Sequence, residues 1–69
     1  MSLLVPDCVM VYKLETAWGQ EIVVAESFRA AMNWLVTRLD IGRISGFSEM
    51  ENAAFAVTTK GWTVMAERL

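Results

Sequence analysis

"AFAVTTKGWTVMAERL", residues 54–69, is the stretch whose reading decides the fold. Its first part, "AFAVT" (54–58), alternates as a short strand with Phe55 and Val57 directed inward. Thr58 then stands where a helix N-cap is expected, because its hydroxyl can accept from a free amide of the first turn. Beyond it Trp62, Met65, Ala66 and Leu69 recur at i, i+3, i+4 and i+7, the spacing of one helical face. Lys60, Glu67 and Arg68 fall off that stripe and are expected in solvent, and Gly61 leaves room for close backbone packing. The segment is thus expected to be a strand, a threonine cap and a closing helix.

Upstream, residues 1–7 form a short, loose lead-in ended by Pro6. "CVMVYKLET" (8–16) places Met10, Tyr12 and Leu14 on one face and Lys13 and Glu15 on the other, a half-buried strand. "AWGQ" (17–20) is a turn of about four residues, and "EIVVAE" (21–26) is the partner strand of a hairpin. Ser27 caps a helix over 28–40, in which Phe28, Ala31, Met32, Leu35, Val36 and Leu39 make an apolar stripe. Asp40 and Gly42 end it, with Gly42 suited to a left-handed C-terminal position. "RISGF" (43–47) is expected as a short strand and "SEMENA" (48–53) as a loop. The expectation is a single α+β domain over 1–69, in ββαββα order, a hairpin followed by a helix, twice.

The helix at 28–40, "GRISGF", the loop, the strand at 54–58 and the T-x-x-G of "TTKG" together resemble the recognition helix, wing and last helix of winged-helix domains. The resemblance covers residues 28–69, about three-fifths of the chain. It implies a partly winged-helix-like fold and a DNA-binding transcriptional regulator. On that reading Arg29, Asn33 and Thr37 would face base edges, and Arg38, Arg43 and Lys60 would face phosphates.

Composition pulls the other way. Eight acids against six bases leave a net charge of −2, whereas affinity for nucleic acid comes largely from cations that release counterions. DNA is therefore a partner disfavoured by charge, and a homodimer would be needed to gather enough bases. The chain has no histidine and one cysteine, Cys8. No Cys–His pair exists, and the commonest metal ligand is missing. Glu49 and Glu51 are expected as a solvated acidic loop, and "GRISG" (42–46) lacks the spacing of a phosphate-binding loop. An enzyme is not expected, nor a cofactor or metal. Cys8 reads as a small buried hydrophobe at a strand start, and a lone thiol fits a cytoplasmic setting. The longest uncharged stretches are eight residues, far short of the roughly twenty a membrane span requires.

Hydrophobic residues make up 55% of only 69 positions. So small a core stabilises a fold by no more than about 3–5 kcal/mol, so self-association or a protein partner is expected. The helix at 28–40 offers a surface for one. Trp34 lies 100° or more from the centre of the apolar stripe, and Arg38, one turn on, can stack on its indole. Ala30, Asn33 and Thr37 complete that outer face. An off-stripe tryptophan beside an arginine has the composition of a binding hot spot. Trp18, in the hairpin turn, either folds back or awaits a partner, while Trp62 is expected in the core. The first functional expectation is a small non-catalytic protein-binding protein, a phage- or prophage-type inhibitor or modulator of a host protein. The DNA-binding regulator is the alternative.

Overall fold

The computed structural model describes residues 9–69, so the lead-in at 1–7 and the expected burial of Cys8 lie outside the described residues. The first strand, β1 (Met10–Thr16), buries Tyr12 and Leu14 and exposes Val11 and Glu15, as alternation requires. Met10, expected on the buried face, is exposed at the strand's start. Ala17 and Trp18 make a tighter turn than expected, and β2 (Gly19–Ala25) returns antiparallel with Thr16 opposite Gly19 and Tyr12 opposite Val23.

Helix α1 (Phe28–Leu39) starts where the sequence places it. The Ser27 hydroxyl accepts from the Ala30 amide at 3.1 Å. Phe28, Ala31, Met32, Leu35 and Val36 are buried beneath it, and the Phe28 ring meets Tyr12 of β1 at 4.7 Å between centroids. Its end differs in detail, because the left-handed cap is Asp40 (φ 56°), whose amide donates to the Thr37 carbonyl, and not Gly42. Ile41 then turns inward with its amide on the Val36 carbonyl, closing the helix with a buried apolar residue.

The expected ββαββα order is overturned in the last third. Three strands follow α1: β3 (Ile44–Glu49), β4 (Ala53–Thr58) and β5 (Thr63–Arg68). No second helix forms among the described residues. The reason lies in the loop read as a helix start. The Gly61 amide donates to the Thr58 carbonyl at 2.9 Å, and the Thr58 amide to the Trp62 carbonyl at 2.8 Å. Gly61 sits at φ +87°. This is a three-residue hairpin loop that ends on a left-handed glycine. Thr58 does use its hydroxyl on a nearby amide, that of Trp62 at 3.1 Å, but it closes a hairpin instead of capping a helix. In β5 it is Val64 and Ala66 that turn inward, while Met65 is half exposed and Trp62 lies outside the core. The inward face of β4 is likewise corrected: Ala54, Ala56 and Thr58 are buried and Phe55 points out.

The sheet runs β2-β1-β5-β4-β3 with every neighbouring pair antiparallel. The chain makes one hairpin, crosses a single face of the sheet as α1, and returns as a three-stranded meander whose last strand slots in beside β1. Small residues Ala54, Ala56 and Ala66 on the covered face let α1 lie close over the sheet. The other face has no layer upon it among the described residues. There Val11, Ile22, Val24, Phe55 and Met65 are exposed, with a Lys13–Glu67 ion pair (3.4 Å) between them.

Candidate functional site

The ladder decides which way each side chain of β2 points. Glu21 lies opposite the buried Leu14, so it points to the helix side of the sheet. There its carboxylate forms an ion pair with Arg38 of α1. One oxygen, Oε1, is buried without a hydrogen-bond partner. Arg38 in turn lies over Trp34, with its guanidinium carbon 5.0 Å from the ring centroid. A strand carboxylate thus holds an arginine, and the arginine holds a tryptophan that is 49% exposed. The stacking expected from the i, i+4 spacing is present. No local pattern announces the anchoring by Glu21, because that contact depends on which strand α1 crosses.

Ala30, Asn33, Trp34, Thr37 and Arg38 line one shallow depression on the outer side of α1. All five expected protein-binding residues of the helix are therefore brought together. Trp34 and Ala30 also form one wall of a second groove, whose floor is the edge strand from Ile22 to Ala25 with Glu26 just beyond it. Trp18 joins the same side of the molecule, since it lines a small open pocket with Glu21 and Arg38. Its indole packs on Trp62, with centroids 4.5 Å apart and planes at 52°. The two hairpin tips therefore touch through their tryptophans, although both rings keep an exposed face.

Of the six residues expected to meet DNA, Asn33, Thr37 and Arg38 share the shallow depression on α1, and Arg29, Arg43 and Lys60 are not among its lining. Arg29 lies over Phe47 of β3 at 5.4 Å, on the opposite flank of α1 from Arg38, whose charge Glu21 offsets. Lys60 reaches the Asp40 carbonyl at 3.4 Å, a favourable place for a cation at a helix C-terminus. Arg43 is tied by its backbone to Thr59, donating to the hydroxyl at 3.1 Å and accepting from the amide at 2.7 Å. Asn33 and Thr37 remain on the exposed face of α1. Glu49 and Glu51 flank the exposed β3–β4 turn, and no group of three metal-ligating side chains exists among the described residues.

Sequence reasoning missed the floor of the second groove. Ile22 and Val24, 60% and 62% exposed, belong to an edge strand. Their spacing marks a strand but not its position in the sheet. No helix among the described residues is long and apolar enough to cross a membrane. Comparison with known protein families, curated proteins and solved structures finds no match.

Proposed function

We propose that this chain is a small non-catalytic protein that binds another protein through the side of α1 facing β2, with Trp34 as the anchor. The observation that supports this most is the Glu21–Arg38–Trp34 chain. An exposed indole held from below loses little conformational freedom on binding, so most of its burial is available as affinity. Asn33 and Thr37 supply hydrogen-bonding groups at the rim, and Arg38 fixes orientation. The mechanism is steric occupation of a partner's surface. A cytoplasmic inhibitor or modulator of the phage or prophage kind fits the small size and acidic balance, by analogy of character alone.

The test places a photo-crosslinking residue at Thr37 in the native host and compares capture with and without Trp34→Ala. The variant is expected to keep the circular dichroism and melting profile of the parent. Its affinity for the captured protein should fall about 30-fold or more, the effect of losing a hot-spot tryptophan worth ~2 kcal/mol. Capture at full strength by folded Trp34→Ala would overturn the proposal.

A further inference from the structure

We propose that a second copy of this chain adds to the open edge of β2, joining two five-stranded sheets into one continuous sheet. The inference rests on taking the α1–β2 side as a protein-binding surface, and it names the occupant of that surface's strand edge.

The backbone supplies the first argument. The Leu69 amide donates to the Val11 carbonyl at 3.0 Å, so the polar groups of Val11 point toward β5. In an antiparallel ladder the N–H and C=O of one residue point the same way, and successive residues alternate. Tyr12 and Leu14 therefore point theirs toward β2, where they meet Val23 and Glu21. Among the described residues, Gln20, Ile22 and Val24 are left with N–H and C=O directed off an edge to which no strand is paired. Such a row is a template for another strand.

The two edges of the sheet are built differently. The β3 edge carries an irregularity in register between Ile44 and Gly46 and the polar residues Ser45, Ser48 and Glu49. Bulges and charges are the usual protections of an exposed edge. The β2 edge has no break in its register with β1 and no proline or lysine, and its one charge, Glu21, is paired within the chain to Arg38. It instead presents Ile22 and Val24, and the groove beside it is walled by Trp34 and Ala30.

The strand is also its own complement. Ile22 is the middle residue of Gly19–Ala25 and is one of those facing outward. A twofold axis through Ile22 sets Gln20 opposite Val24 of the second copy and Ile22 opposite itself. Every residue of the strand then has a partner, and all the outward-facing groups are hydrogen-bonded. Glu21 falls opposite Val23 of the second copy, so no like charges are opposed. The two Ile22 side chains meet on the uncovered face. On the helix side the two Trp34–Arg38 surfaces stand on either side of the seam.

The experiment combines sedimentation equilibrium with a test of register. The wild type is expected to associate to a dimer, and Ile22→Lys to raise the dimer dissociation constant at least about tenfold by opposing two charges across the seam. In a Cys8→Ser background, Ile22→Cys is expected to oxidise to a covalent dimer. Gln20→Cys, set opposite Val24, is expected not to. A wild type that stays monomeric, a dimer that folded Ile22→Lys leaves intact, or cross-linking at Gln20→Cys in place of Ile22→Cys would each overturn the proposal. A monomer that still captures its target through Trp34 would remove the second copy and leave the protein-binding function standing.

Discussion

Gly42 and Gly61 both sit at positive φ, +105° and +87°, yet they answer to different constraints. A Cβ on Gly61 would meet nothing within 4 Å, whereas one on Gly42 would lie 2.5 Å from the Thr59 hydroxyl and 3.1 Å from the Lys60 amide. Gly61→Ala therefore carries only the conformational penalty, about 1 kcal/mol. Gly42→Ala adds a clash with the Thr59 hydroxyl, which its hydrogen bond from the Arg43 amide holds in place, and is expected to cost on the order of 3 kcal/mol. Urea melts of the two variants check this, with Gly42→Ala the lower in midpoint. At this scale the sequence was partly legible. Ser27 as a cap and Trp34 with Arg38 follow from spacing along one helix. The close approach of Gly42 to the β4–β5 loop joins residues far apart in the chain, and no local pattern announces it.

Among the elements, α1 was legible because its stripe spans more than three turns and its cap is unambiguous. β5 was not, because two periodicities coexist in the eight residues from Trp62 to Leu69. Trp62, Met65, Ala66 and Leu69 fit a helix, while Val64 and Ala66 alternating with Thr63, Met65 and Glu67 fit a strand. Pairing with β1 on one side and β4 on the other decides for the strand, a tertiary effect that local propensity does not contain. Two substitutions separate the readings. Met65 belongs to the inward stripe of a helix but is 53% exposed in the strand, and Val64 is 0% exposed. Met65→Lys is expected to change stability by less than about 1 kcal/mol. Val64→Lys, burying an unpaired charge, should abolish cooperative folding. Thermal melts followed by far-ultraviolet circular dichroism read both.

For the whole molecule, the order β2-β1-β5-β4-β3 puts the last strand at the centre. It links the N-terminal hairpin to the meander, so each half has its sheet completed by residues from the other. Truncation after Gly61 is expected to remove the cooperative transition altogether and not merely lower it, and amide exchange should show β1 and β2 as unprotected as β4. A truncated chain with a protected β1–β2 hairpin would contradict this. That strands and a helix share one small domain was legible from alternation and the stripe of α1, but the expected ββαββα class was not what forms, because five strands accompany a single helix among the described residues. Strand order, and with it the identity of the exposed edge, was not legible, since order is fixed by pairings between distant segments.

The contact of Trp18 with Trp62 at the hairpin tips has an optical consequence. The chain's three tryptophans divide into a coupled pair, which exists only when the two halves of the sheet have come together, and a solitary indole on α1. The first is a built-in signal of assembly of the fold and the second of occupancy of its surface, so one chromophore type reports two separate events. Replacing the pair with phenylalanine would leave Trp34 as the sole tryptophan and, with excitation selective for indole, make surface occupancy visible on its own.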